Sequence, residues 1–304
     1  MLMEGTWSRV LEAGDCLASA PYNPAMPSFD VQVAGAGIVG KTLALALARL
    51  GLSVALRGAP ERGTPREDVR AYALNGASIA LLKSLKVWDA LPANTTTAIH
   101  DMLVHGDAAG AELEFSAWQQ RVGELAVITD AAALEHELDA ALRFAPHVTR
   151  VADDVPASLV AHCEGRAAAA LKSLGAGFVQ QPYGQKAIAA RLVASRPHGH
   201  VARQWFRAPD VLALLPFDRP EPGRSYALVW SLPNARADEL LGTDPAAFER
   251  ELGLATGGEA GELRLASDRA AWPLLIGSAA TWYGPGWVLA GDAAHVVHPL
   301  AGQG

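Results

Sequence analysis

The chain has 304 residues, 25 Lys+Arg against 32 Asp+Glu, a formal charge of −7 and 50% apolar residues. That apolar share sits at the top of the ~45–50% usual for globular chains, which argues against disorder, and the length suits one large domain or two ordinary ones. The acidic balance argues against nucleic acid as a partner, because phosphates need a basic face, and Cys16 and Cys163 lack any CxxC spacing, so neither a disulfide framework nor a thiolate zinc site is expected.

No apolar run approaches the roughly 18 residues of a membrane span, and the N-terminus lacks the basic-then-apolar layout of a secretory signal. Residues 1–28 read as irregular, punctuated by Pro21, Pro24 and Pro27, and Met26 is the expected natural start. Phe29-Asp30-Val31-Gln32-Val33-Ala34 reads as a short strand, followed by Gly35-Ala36-Gly37-Ile38-Val39-Gly40. Val39, Leu43, Leu47 and Leu50 then recur at helical spacing until Gly51 stops the helix, and Val54-Ala55-Leu56 is a second strand. The whole is a βαβ unit of about 30 residues. Ile79, Leu82, Leu85 and Val87-Trp88 predict a helix over 75–91; Leu134, Leu138, Ala141 and Leu142 predict another over 130–144. Residues 211–217 and 226–232 read as strands joined by a Pro/Gly turn at 220–223, and Asp244-Pro245 opens a helix running to Leu252. Trp287-Val288-Leu289-Ala290 is the last buried strand and runs into Gly291-Asp292. The expected organisation is two domains, the first of them discontinuous, with a β-rich block between its parts.

Three motifs carry chemistry. In Gly35-x-Gly37-x-x-Gly40 the first glycine permits the tight turn, the second lets a pyrophosphate approach the backbone, and the third lets helix and strand pack closely. The strand before it and the helix after it supply the context that makes this pattern informative, with helix N–H groups and dipole favouring phosphate. The acidic residue expected for a ribose about 20 residues on is missing: position 58 is Gly, so either Glu61 reaches back or the hydroxyls use backbone and water. The second motif is Asp68-x-Arg70, where Arg70 suits a phosphate and Asp68 suits holding it in place; taken alone, the pair reads as an exposed salt bridge at a helix start. The third is Gly291-Asp292-Ala293-Ala294-His295-x-x-His298-Pro299-Leu300-Ala301-Gly302-Gln303-Gly304. A carboxylate directly after a buried strand suits a sugar-alcohol chain, and the Gly302-Gln303-Gly304 backbone suits a ring carbonyl. Asp292, His295 and His298 are spaced by three, but a Gly/Pro-rich loop does not converge three ligands, so no metal is expected.

With these motifs placed, the sequence resembles the class A flavoprotein aromatic monooxygenases, most closely the ubiquinone-biosynthesis hydroxylase family. The segments "VAGAGIVGKTLALALARLG", "DVRAYAL", "YGQKAIAARL", "ARQWF", "LALLPF", "LVWSLP" and "WVLAGDAAHVVHPLAGQG" carry the likeness from residue 31 to 304. The resemblance implies an α/β fold: a Rossmann-like FAD-binding domain with an inserted β-sheet-rich substrate domain. The first would comprise 29–104, 125–176 and 284–304, the second 105–124 and 177–283. It implies that Gly35, Gly37, Gly40 and Arg70 hold the FAD pyrophosphate, that Gly291 and Asp292 meet the ribityl chain, and that Pro299, Gly302, Gln303 and Gly304 line the isoalloxazine. NAD(P)H would reduce FAD, and oxygen would form a flavin hydroperoxide that hydroxylates an activated aromatic ring. No side-chain nucleophile is required, so no catalytic residue is named. A small aromatic or polyprenylated phenol is the implied substrate. The implied location is cytoplasmic, with a peripheral inner-membrane or biosynthetic-complex contact for a membrane-bound substrate, although no amphipathic basic helix is visible.

This sequence departs from the family pattern at Gly58, at Cys163-Glu164-Gly165-Arg166-Ala167-Ala168 (usually Asp-Gly followed by Arg and Ser, after a small β-meander that is missing here) and at its end. The pattern continues past Gly-Gln-Gly into a helix, whereas the sequence stops at Gly304, so weak FAD retention is expected. Of the aromatic residues Trp205, Phe206, Phe217, Trp230 and Trp272, most are expected in a sheet core, with Trp272-Pro273-Leu274-Leu275 near a pocket. The alternatives left open are another flavin oxidoreductase, a hydroxylase of a soluble aromatic, and an inactive truncated fragment.

Overall fold

The computed structural model describes residues 29–58, 68–108, 110–165 and 173–298. The expectations at Met26, Glu61, 166–168, Pro299, Gly302, Gln303 and Gly304 lie outside the described residues.

The first sheet grows from β1 (Phe29–Ala34), which pairs in parallel with β2 (Val54–Arg57) on one side and β9 (Ala157–His162) on the other. β8 (Val148–Val151) lies beyond β2; β17 (Trp287–Leu289) lies beyond β9, with antiparallel β16 (Tyr283–Gly284) at the edge. α1 (Ile38–Arg49) carries the chain from β1 to β2. Its buried face is Gly40, Lys41, Ala44, Leu45 and Ala48, not the leucine stripe suggested by periodicity, and Leu50 is 77% exposed. Small residues make up most of this face, with Leu45 buried among them and Leu43 and Leu47 packed partly against the same core. Lys41 reaches across to Asp139 (2.8 Å) on α4 (Ala131–Arg143). α4 matches its predicted span because Asp130 caps it, accepting from the Ala133 N–H at 2.9 Å, while Leu134, Leu138 and Leu142 are buried. The helix predicted over 75–91 ends early. α2 (Gly76–Ser84), capped by Asn75, stops where Lys86 takes a left-handed φ of 62°, and Trp88–Ala90 forms a separate 3₁₀ turn.

β3 (Ala71–Leu74) and β4 (Thr96–Ile99) flank β7 (Ala126–Asp130) in a small antiparallel sheet. Asp68 and Arg70 therefore precede a strand; the helix start read from the sequence is corrected here.

The large sheet is centred on β10 (Val179–Ala194), between β13 (Ser225–Pro233) and β15 (Ala270–Ser278), with β14 (Leu263–Leu265) also on β10. Beyond β13 come β12 (Asp210–Phe217), β11 (Val201–Arg207), β5 (Asp101–His105) and β6 (Glu112–Ser116), which leads into the short α3 (Ala117–Gln120); β18 (His295–Val296) closes the other edge. β12 and β13 are the predicted strand pair. Alternation along these strands gives the sheet two different faces. Ile188, Leu192, Leu212, Leu214, Tyr226, Leu228, Trp230 and Leu232 face α5 (Asn234–Gly242) and α6 (Pro245–Thr256) and form the largest core together with Trp205 and Phe248. Asp244 caps α6 as its sequence predicted. The opposite face carries Ala187, Ala189, Ala227 and Val229. Trp205 and Trp230 are thus core residues, and Phe217 packs beneath Arg191.

Candidate active site

In an open parallel sheet, ligands bind beyond the carboxyl ends of the strands, at the point where strand order reverses. Here that point lies between β1 and β9, since α1 turns to β2, with β8 beyond it, on one side, while β9 and β17 add on the other. A cleft of about 930 Å³ opens there, near the top of the ~300–1,000 Å³ range of small-molecule sites. Four strand ends supply one side of it: Gly35–Gly37 after β1, Arg57 and Gly58 after β2, Cys163–Gly165 after β9, and Ala290–Asp292 after β17.

The glycine turn is shaped as a cradle. A Cβ at Gly35 (φ +110°) would stand 2.5 Å from the Cys163 backbone, and one at Gly40 would stand 1.8 Å from the Gly35 carbonyl oxygen. Gly37 has nothing within 4 Å of its Cβ position, so its surface is open. Gly37 is also the N-cap of α1 and offers no side-chain cap, which leaves first-turn N–H groups for an anionic ligand. The terminal loop closes onto this turn: a Cβ at Gly291 (φ +63°) would lie 3.1 Å from Val39 at the start of α1. These features fit a dinucleotide pyrophosphate.

Arg70 lines the same cleft. Its Nε donates to Asp68 Oδ1 at 2.9 Å and its Nη2 to Asp68 Oδ2 at 2.6 Å, with Glu135 3.5 Å away. Burial pushes the Asp68 carboxyl upward, but the hydrogen bonds and charge of Arg70 outweigh it and hold it below its usual value; the same pairing raises Arg70. The segment is anchored to the large sheet by Arg191, whose Nη2 donates to the Arg70 carbonyl (2.8 Å) and to Asp130 Oδ2 (3.1 Å). Tyr72, next along β3, is raised by burial; Arg70 opposes this and the carboxylates of Asp68, Glu135 and Asp292 add to it. Its hydroxyl makes no hydrogen bond to the described residues. Burial, then the neighbouring Glu164, pushes the Cys163 thiol up to about 12, so it is not a nucleophile at neutral pH.

The far wall is apolar: Ala187, Ala189, Ala227 and Val229 form a floor of small side chains, edged by Trp272, Pro273, Leu274 and Leu275. A flat ring fits against such a floor.

The structure therefore brings Gly35, Gly37, Arg70, Gly291 and Asp292 to one cleft, with Gly40 packed behind the turn. Trp272–Leu275 line it as the sequence suggested. Tyr72, Glu135, Arg191 and the alanine floor were not singled out from sequence; only the two-residue alternation of β10 and β13 carried a signal for the floor. His295 stacks on Trp282 (5.1 Å), and His298 meets the edge of Tyr183 (5.3 Å).

No family model matches the chain. It is 30% identical over 304 residues to the ubiquinone hydroxylase UbiL of Rhodospirillum rubrum, covering 90% of this chain and 68% of that protein. It is also 30% identical over 302 residues to the 3-demethoxyubiquinol 3-hydroxylase of Escherichia coli, covering 90% and 75%. Among solved structures, P. aeruginosa PqsL in complex with 2-aminobenzoylacetate superposes with a TM-score of 0.75 at 18% identity, covering 91% of this chain and 82% of that one. That fold, the cleft at the switch point and these relatives agree: the chain belongs to the ubiquinone-biosynthesis hydroxylase family of FAD-dependent aromatic monooxygenases.

Proposed function

We propose that the cleft holds FAD and that the protein uses NAD(P)H and oxygen to hydroxylate the aromatic ring of a ubiquinone precursor. The observation that carries this is the convergence of the β1, β2, β9 and β17 ends on a single cleft whose opposite wall is lined by the small side chains of Ala187, Ala189, Ala227 and Val229. Gly35, Gly37 and the first turn of α1 would take the pyrophosphate, with Gly40 keeping the turn tight. Arg70, held by Asp68, would add charge; Gly291 and Asp292 would meet the ribityl chain; and Pro299, Gly302, Gln303 and Gly304 would continue along the ring. When bound, the flavin supplies oxygen activation, and the chain's own part is to bind, orient and keep the site dry. The alanine floor and Trp272 would set the ring plane against it.

In this reading the flavin unit comprises 29–104, 125–176 and 284–304 and the substrate unit 105–124 and 177–283. β5 adds its strand to the large sheet beside β11. Both relatives act, by name, on ubiquinone-type compounds, which supports a quinol-type ring here. A polyprenylated substrate implies a peripheral membrane or biosynthetic-complex contact; no helix among the described residues is long and apolar enough to cross a membrane. The test is reconstitution with added FAD, read by the near-UV and blue absorption bands. It is followed by NADH and NADPH oxidation coupled to hydroxylation of a demethoxyquinol. Failure to take up FAD at saturating concentration would end the proposal; uptake with turnover only on soluble phenols would replace the substrate.

A further inference from the structure

Position 58, where a ribose-binding acid is expected, is Gly for a steric reason. A Cβ there would stand 2.3 Å from the Ala36 Cβ and 3.3 Å from the Ala36 backbone nitrogen, so no side chain fits without displacing the glycine turn. The guanidinium of the preceding Arg57 lies against two carboxylates, with Nη2 2.7 Å from Glu164 Oε1 and Nε 3.0 Å from Asp154 Oδ1. Glu164 stands just past the end of β9, is about three-quarters buried, and has His162 Nδ1 3.5 Å from its other oxygen. Arg57, Gly58, Ala152, Glu164 and Gly165 line the same end of the cleft as Gly35 and Gly37.

A buried side chain is devoted to building this corner. Gln32, 2% exposed on β1, donates from Nε2 to Asp154 Oδ1 (2.6 Å) and accepts the Val155 N–H at Oε1 (2.7 Å). It pins the segment between β8 and β9 across the sheet and so brings Asp154 to Arg57. An arginine with no acid at the end of β2 ordinarily suits a 2′-phosphate. Among the described residues one guanidinium here faces two carboxylates, which gives the corner an excess of negative charge: it accepts hydrogen bonds from hydroxyls and repels a phosphate.

We propose that Glu164 accepts the adenosine ribose hydroxyls of the flavin nucleotide, in place of the acid that position 58 cannot hold, with Arg57 as the residue that positions it. This rests on FAD occupying the cleft. It makes the corner selective for an unphosphorylated ribose.

The apoprotein is titrated with FAD and with an FAD analogue carrying 2′,3′-dideoxyadenosine, read by flavin fluorescence, for the wild type, Glu164→Ala and Glu164→Gln. Thermal unfolding verifies that each variant is folded. The wild type binds the analogue about 10–100-fold more weakly than FAD, the range of a hydrogen bond to a charged group. Glu164→Ala binds both equally and weakly, and Glu164→Gln, whose amide oxygen still accepts, retains part of the preference. A merely structural Glu164 would lower both affinities and leave their ratio unchanged. ADP-ribose displaces FAD at least tenfold better than its 2′-phosphorylated form. Wild-type discrimination persisting in Glu164→Ala, or the 2′-phosphorylated competitor binding as well, overturns the proposal while leaving the flavin reading intact. A wild type that binds neither flavin overturns both.

Discussion

Arg191→Met tests how the large sheet is fastened to the nucleotide-binding half. The Arg191 side chain is 7% exposed and pairs at 3.1 Å with Asp130, itself 10% exposed; it also donates to the Arg70 carbonyl at 2.8 Å and lies 4.1 Å over the Phe217 ring. Methionine keeps most of the stem and removes the charge, leaving a buried carboxylate without its main partner. Breaking one side of a buried pair costs about 3–5 kcal/mol. Asp130 keeps the Ala133 N–H and a distant Arg219 at 4.0 Å, which places the expected loss at the lower end, about 3 kcal/mol. Against a total stability of ~5–15 kcal/mol that is a large fraction. Urea unfolding reads it as a lower midpoint at unchanged slope. The double variant Arg191→Met/Asp130→Asn recovers about 2 kcal/mol, because the stranded charge is gone while the amide oxygen still caps α4. A single-variant loss below about 1 kcal/mol, or a double variant no more stable than the single, refutes the reasoning.

Two further outcomes follow from the same geometry. Burial holds the His198 imidazole, 1% exposed, below its usual value, against the opposing hydrogen bond and charge of Asp218. Its folded value is depressed, so the unfolded chain takes up the proton first: the stability it contributes is whole above the unfolded value of 6.5 and is lost as pH falls below it. The fall in urea midpoint between pH 7.5 and 5.5 should shrink in His198→Gln, and an unchanged fall would show that His198 is not its source. Ala189→Leu places a side chain on the floor of the cleft. FAD uptake should survive while KM for the aromatic substrate rises at least tenfold; unchanged KM would remove the floor from the substrate site.

What the sequence made legible was local. Asp130 and Asp244 sit at the starts of the helices they cap, so the polar residue and the apolar spacing after it mark both starts. The βαβ turn is legible for the same reason, since its parts are contiguous. The helix over 75–91 was overextended because the left-handed Lys86 has no residue signal: a lysine at φ 62° is held by the packing of Leu85 and Val87 around it. The apolar spacing marked α1 as a helix but not its innermost face, where Gly40, Ala44 and Ala48 sit beside Lys41 and Leu45. Arg191 and Arg70 are 121 residues apart and Arg57 and Glu164 are 107 apart, so no spacing rule joins them. Asp68 and Arg70 were readable as a pair from their spacing, and the family resemblance alone assigned Arg70 to the phosphate site; β3 and the large sheet bring it to the cleft.

The motif assigns Gly37 to the approach of a pyrophosphate and Gly40 to close packing of helix and strand. The distances around each glycine turn those two roles into separate predictions. A methyl at Gly40 would lie 1.8 Å from the Gly35 carbonyl oxygen and 3.3 Å from Val33, both fixed by the β1–α1 turn, so the helix must lift off the sheet. Overpacking of that kind costs about 1–3 kcal/mol where neighbours can move and more against backbone. A methyl at Gly37 meets nothing within 4 Å and points into space that a ligand would fill. Gly40→Ala should therefore lower the unfolding midpoint with or without FAD. Gly37→Ala should lose without ligand only the roughly 0.5–1 kcal/mol by which alanine caps a helix less well than glycine, and lose affinity for FAD at least tenfold, because the pyrophosphate can no longer approach the backbone. The ligand-free unfolding curves make the distinction. If Gly37→Ala is destabilised as much as Gly40→Ala, the turn is a packing device throughout, and the open surface at Gly37 is not where the phosphates lie.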